Sequence, residues 1–228
     1  MKALALAALL AAGCAHGHKS QGRASDGPEL VSEPLRAALA RPAEAMTAAR
    51  TRLTLQSGVV VSTCDAYLRA RRAGAEVSES TDARLASSEY LVCDALDAVR
   101  CADHGAGGGH AAFGDELAAR LDLREIPSSL GPRLDERVHT LAALGEPLRK
   151  SATEVGVLSA DWTFALRLAA VADVDGDGKS DWVVWMTDEA RTSTYRNYAT
   201  LVILAPDNPG PLRIVRWPSK GEARKCPG

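Results

Sequence analysis

Nine residues of the 228-residue chain concentrate its chemistry: Asp173-Val174-Asp175-Gly176-Asp177-Gly178-Lys179-Ser180-Asp181. Carboxylates stand at the first, third, fifth and ninth positions. Alternate residues of a tightly wound loop turn carboxylates to one side, Gly178 permits the sharp turn, and the Lys179 backbone carbonyl can add an oxygen. Oxygens in this pattern suit Ca²⁺, which takes six to eight of them, whereas Mg²⁺ demands a smaller octahedron and gives up its water reluctantly. The spacing therefore predicts a calcium site built from Asp173, Asp175, Asp177, Asp181 and the Lys179 carbonyl. The plainer alternative is a polar hairpin turn. A turn needs none of these carboxylates, and without a counter-ion they would repel one another.

Other groupings carry less. Cys101, Asp103, His104 and His110 include donor types for zinc, but HGAGGGH is a Gly-rich loop and Cys101 is better used in a disulfide. The same glycines lack the Lys-Ser/Thr pair of a phosphate loop. Ser159, Ser193 and His139 could serve nucleophilic catalysis, yet none sits in a nucleophile-elbow pattern. Asp161, Asp188 and Glu189 could form a carboxylate pair or be solvated strand ends. Trp162, Trp182, Trp185 and Trp217 are expected to pack in a core, and Tyr195-Arg196-Asn197-Tyr198 reads as a polar-aromatic turn.

The chain opens MKALALAALLAAGC. Lys2 is a minimal basic region, and the apolar run Ala3 to Ala12 is too short to cross a bilayer core of roughly 30 Å but suits an export signal. Ala11-Ala12-Gly13-Cys14 resembles a bacterial lipobox, although such boxes often carry Leu where Ala11 stands. The resemblance implies that Cys14 is acylated and becomes the new N-terminus, giving a stable membrane anchor. Ala15 gives no inner-membrane retention signal, so the outer membrane is the expected destination. Lipidation of Cys14 leaves an even set, Cys64, Cys93, Cys101 and Cys226, in an oxidising compartment. Cys93 and Cys101, eight residues apart on an expected helix, would be about 12 Å apart, too far to bond. Two connectivities remain. Cys64–Cys93 with Cys101–Cys226 is preferred over Cys64–Cys101 with Cys93–Cys226.

The loop is not an EF-hand, because Val184 occupies the place of the closing Glu and both flanks read as strands. The string DVDGDGKSDWVVW resembles the Asp-rich calcium loops of FG-GAP/VCBS-type repeats, in which such a loop joins two strands. The resemblance covers about a dozen residues in one copy, so it implies ligand roles for Asp173, Asp175, Asp177, Asp181 and the Lys179 carbonyl, and no propeller.

The elements that must position these residues follow from periodicity. Residues 1–13 are the signal, and 14–30 are a polar tether carrying His16 and His18. Residues 31–150 are mostly helical: Ser32 can cap a first segment interrupted by Pro42, Ser62 and Asp65 resemble a capping box, and Gly74 is a natural stop. The clearest helix starts near Ser80 or Thr81 and places Leu85, Val92, Leu96 and Val99 on one stripe. A short helix over Asp115 to Leu121 and a weaker one over Leu134 to Leu144 follow. Within 151–228, four runs rich in Val, Ile, Leu and Trp read as antiparallel strands. The expected fold is α+β, an N-terminal helical layer on a C-terminal antiparallel sheet of about four strands.

The charge balance of 27 Lys+Arg against 29 Asp+Glu lacks the basic surface that nucleic acid requires. The expected function is that of an envelope-anchored lipoprotein with a structural calcium loop. It would be a non-enzymatic structural or interaction module with the membrane as one partner and an unidentified protein or envelope component as another. The alternatives are an exported hydrolase stabilised by calcium and a calcium-dependent adhesion or sensor protein. A pocket holding a carboxylate of raised pKa would favour the enzyme; a flat exposed apolar patch would favour a binding module.

Overall fold

The computed structural model describes residues 27–77, 82–107 and 109–220. Cys14, His16, His18 and Cys226 lie outside them, as do the signal and most of the tether. The described chain begins with β1 (Glu29–Leu30), α1 (Glu33–Ala40) and α2 (Pro42–Thr47). Ser32 caps α1 by accepting the Leu35 N–H, and Pro42, with no N–H to continue that helix, starts α2 instead. A ribbon of β2 (Leu53–Thr54) and β3 (Val60–Val61) leads into α3 (Cys64–Arg72). The cap of α3 is Thr63 rather than Ser62, its hydroxyl accepting the Ala66 N–H at 3.2 Å.

The expected long helix is divided. It consists of α4 (Ala83–Leu85), a π-helical turn over Ala86–Tyr90, and α5 (Leu91–Val99). The wider turn rotates the register, so Leu85 and Val92 are half-buried while Leu91, Cys93, Ala95, Leu96, Ala98 and Val99 are buried. Next comes α6 (Phe113–Arg120). No α-helix forms over Leu134 to Leu144, where one short 3₁₀ turn, Ala142–Leu144, occurs. There the Asp135 carboxylate accepts the Arg137 and Val138 N–H groups at 2.7 Å, competing with helical bonding.

The remaining strands are β4 (Leu148–Lys150), β5 (Glu154–Leu158), β6 (Trp162–Ala172), β7 (Asp181–Ala190), β8 (Arg196–Leu204) and β9 (Arg213–Trp217). These six pair antiparallel in chain order, and β1 pairs with β6 past the end of β5. The sheet is therefore larger than the four strands expected. The short strands of this sheet missed by periodicity, β1, β4 and β5, all precede the strong apolar runs.

The helices do not form one N-terminal layer on one face, which corrects the expected arrangement. α5, with α1 and α3 behind it, packs against β6 to β9 through Ala170, Ala172, Val183 and Val202. On the opposite face α6 and the loops after it meet Phe164, Leu166, Val184, Met186, Leu201 and Ile203. Two buried faces explain why the strands read as continuous apolar runs rather than as an alternation. A bulge between Leu168 and Ala170 resets the faces of β6. It also frees the Ala169 carbonyl, which accepts the N–H groups of both Val31 and Ser32 at 3.0 Å and so anchors the start of α1.

A disulfide joins Cys64 of α3 to Cys93 of α5. Closing a loop of 29 residues constrains the unfolded chain by about 3–4 kcal/mol in the loop-entropy account. Cys101 is also disulfide-bonded.

Candidate metal centre

The Asp-rich segment is the connection between β6 and β7, so strands flank it on both sides. Gly176 and Gly178 adopt left-handed φ values of +81° and +84°, a region that favours glycine and lets the chain coil between successive carboxylates. Asp173 is buried, and its two oxygens accept the Gly176 N–H at 2.7 Å and the Gly178 N–H at 2.9 Å. Asp175 accepts the Asp177 N–H at 3.1 Å, and Asp177 accepts the Lys179 N–H at 2.8 Å. These bonds wind the loop around its own carboxylates. One oxygen each from Asp173, Asp175 and Asp177 falls within 4.8 Å of the others, with Asp175 and Asp177 open to solvent. Carboxylate oxygens keep lone pairs beyond those used by these amides, and three at this distance can share one ion. That donor set fits a hard divalent cation.

Asp181 does not join the group. It is fully buried at the first position of β7, where Oδ2 accepts the Val174 N–H and Oδ1 the Ala205 N–H, both at 2.8 Å. Burial raises its pKa to about 6, against the lowering effect of those amides. Its role here is to fasten the start of the loop to the end of β8, where Ala205 holds a φ of +41°. The Lys179 side chain reaches Asn208 Oδ1 at 3.3 Å.

The Gly-rich stretch that looked like an idle surface loop is the outer support of this centre. Asp173 N–H donates to the Asp103 carbonyl at 3.0 Å, Ala106 N–H to Gly178 at 2.8 Å and Ser180 N–H to Ala106 at 3.1 Å. A Cβ on Gly105 would lie 2.3 Å from backbone atoms of Lys179 and Ser180, so only glycine permits this approach. The glycine run was visible in the sequence; its docking partner was not.

The other candidates separate. Cys101 is oxidised, the Asp103 backbone pairs with Asp173, and His110 Nδ1 stands 3.5 Å from Glu29. Among the described residues, the Asp173–Asp175–Asp177 group is the one set of three or more such donors gathered closely enough to hold an ion. Ser159 and Ser193 accept the N–H groups of Trp162 and Tyr195 in their own turns. Trp182 is buried against Phe113, their ring centroids 5.1 Å apart.

Asp188 is no solvated strand end. It is fully buried and receives four donors: Ser129 N–H at 2.6 Å, Ser129 hydroxyl at 2.7 Å, Trp162 Nε1 at 2.8 Å and Tyr195 hydroxyl at 3.0 Å. Beside it Asn197 donates to the Pro127 carbonyl at 2.9 Å. Arg196, Asn197 and Tyr198 thus open strand β8 rather than forming the expected turn, and Tyr195 with this strand start is tied to the loop over Pro127–Ser129 through Asp188 and Asn197. Glu189, the next residue along the strand, instead accepts from Tyr198.

No family model matches the chain, and neither a curated protein nor a solved structure is found to be similar to it. Among the described residues, no helix is long and apolar enough to cross a membrane.

Proposed function

We propose that this chain is a calcium-binding lipoprotein of the bacterial envelope, carried to the membrane by acylated Cys14 and acting as a structural or interaction module. The observation that carries the calcium reading is the convergence of Asp173, Asp175 and Asp177 within 4.8 Å. Ca²⁺ would sit among these three carboxylates, with the Lys179 carbonyl and water completing its oxygens, while Asp181 holds the loop to the sheet from behind. The ion supplies charge neutralisation and rigidity where β6 turns into β7, beside the Gly-rich loop. Extracellular calcium modules bind with dissociation constants on the order of 10⁻⁴ to 10⁻³ M, which suits a structural ion in a calcium-containing compartment. Titration calorimetry of the full chain should show one calcium site in that range and much weaker binding of magnesium. Absence of saturable calcium binding contradicts the reading.

The anchor rests on the lipobox-like Ala11-Ala12-Gly13-Cys14 and on the even cysteine set that remains. The disulfide between Cys64 and Cys93 suits an oxidising compartment. Cys14→Ser should move the protein from the membrane fraction to the soluble fraction. An unchanged distribution refutes lipidation at that residue.

One observation favours the second reading, an exported hydrolase. Asp94 is a buried carboxyl raised to about 8, chiefly by burial, and it borders a pocket. An enzyme using it for proton transfer would lose turnover in Asp94→Asn, whereas a binding site would keep its ligand in that variant.

A further inference from the structure

The face of α5 turned to α3 and β9 carries two acidic residues one turn apart. Asp97 is ion-paired with Arg72 and Arg100 and accepts Trp217 Nε1 at 3.1 Å. Asp94 is only 2% exposed, yet among the described residues a single hydrogen bond reaches its side chain, from the Tyr67 hydroxyl to Oδ2 at 3.3 Å. Its Oδ1 is buried with no partner among the described residues, and so is Nε of Arg71, whose Nη1 is held by Glu76 at 2.7 Å. Both residues line one pocket, whose wall also includes Arg196, Arg216 and Trp217. The interior measures about 20 Å³, room for one water-sized group.

We propose that this pocket binds a compact oxyanion, the carboxylate or phosphate terminus of a small ligand, one oxygen of which enters between the Asp94 carboxyl and the Arg71 guanidinium while the rest stands at the mouth beside Arg216. The charge balance selects the ligand. Glu76 is shared by Arg71 and Arg216, and Glu189 lies 3.9 Å from Arg196. Asp97 is already balanced by Arg72 and Arg100, so the three guanidiniums of the wall are left with these two carboxylates, and a neutral Asp94 leaves the pocket cationic. The groups facing Asp94 are Tyr67 and Arg71 from α3, Asp97 from its own helix and Arg216 from β9. Burial first, with Asp97 adding to it, raises this carboxyl to about 8 although Arg71, Tyr67 and Arg216 pull it down. At neutral pH it presents an O–H donor beside the Arg71 N–H donor. Two buried donors without acceptors fit an oxyanion, whereas a cation would meet three guanidiniums.

Above its titration the carboxylate repels the anion, so affinity should fall by about tenfold for each pH unit beyond about 8. The proposal is independent of the calcium loop and is tested on the full chain by calorimetry with sodium acetate and with inorganic phosphate, at about pH 6.5 and 9.5. The wild-type chain should bind at least one of the two anions saturably at the lower pH and about tenfold or more weakly at the higher. Acetate alone identifies a carboxylate ligand, and phosphate alone a phosphate. Asp94→Asn keeps a neutral donor and should bind with equal affinity at both pH values. Arg216→Gln, altered at an exposed site that folding tolerates, should bind several-fold more weakly. The proposal is overturned if neither anion binds and the space holds only water. It is equally overturned if Asp94→Asn retains the fall with pH, or if Arg216→Gln binds like the wild type.

Discussion

The two ends of β7 treat carboxylates in opposite ways. Near its C-terminal end, Asp188 is fully buried and accepts four hydrogen bonds from Ser129, Trp162 and Tyr195. Just before its N-terminal end, Asp173, Asp175 and Asp177 gather within 4.8 Å and accept only amides of their own loop. The first arrangement is complete with protein donors and needs nothing further. The second places negative charges together, leaves lone pairs over, and keeps two of its three members in solvent. A carboxylate whose acceptor sites are all filled is structural, and a group whose sites converge unfilled invites an ion.

Removing Asp188 should give the largest effect. Asp188→Ala strands the indole N–H, a hydroxyl pair and a backbone N–H beside a void, which should lower stability by about 3–5 kcal/mol in urea unfolding. It should leave calcium affinity unaltered when measured in the folded protein. A loss below about 1 kcal/mol would mean that this knot is not the fastening described, and the contrast between the two ends would weaken.

Asp94 extends the comparison to a carboxyl that is neither filled nor grouped. Its folded-state pKa of about 8 lies above the ordinary carboxyl value of 3.8, so between these values the folded state binds more protons than the unfolded state. The stability it contributes is full below about 4 and is lost as pH rises through about 8. Asp94→Asn does not titrate. Its melting temperature should therefore gain on that of the wild type as pH rises from 4 to 9, with the two nearest each other at the acid end. Parallel pH profiles for the two proteins would show that Asp94 ionises without penalty.

The legibility of these features in the sequence follows from how local their causes are. The Asp-Gly spacing specified the loop because its winding bonds run between residues two to five apart, from Asp173 to Gly178 and from Asp177 to Lys179. The four apolar runs marked β6 to β9: β6, β7 and β8 are largely buried on both faces and so continuously hydrophobic, while β9 is an exposed to half-buried strand at the end of the β4-to-β9 order. Asp181 stands apart from the group of three, and its acceptor role was not legible because it depends on Ala205, 24 residues away. The docking of Gly105 on Lys179 and the filling of Asp188 by Ser129 are likewise long-range. Leu85 and Val92 slipped off their stripe because a π turn intervenes, and nothing in a 3.6-residue period announces it. Asp94 and Asp97 interrupt an apolar helix in the sequence, and that signal alone could have marked the buried polar face.

In the loop itself, Asp177→Ala should change stability in chelator by no more than about 0.5 kcal/mol, as for an exposed surface residue. It should nevertheless remove the response to calcium. The measurement that tests the central claim most directly is a thermal melt of the full chain and of Asp177→Ala, disulfides intact, in calcium, in magnesium and in chelator. A ligand that binds only the folded state raises stability by mass action. The account predicts a clear upward shift of the wild type in millimolar calcium, little or none in magnesium, and no calcium shift in Asp177→Ala. Identical wild-type melts in calcium and chelator, or an equal calcium shift in both proteins, would contradict it.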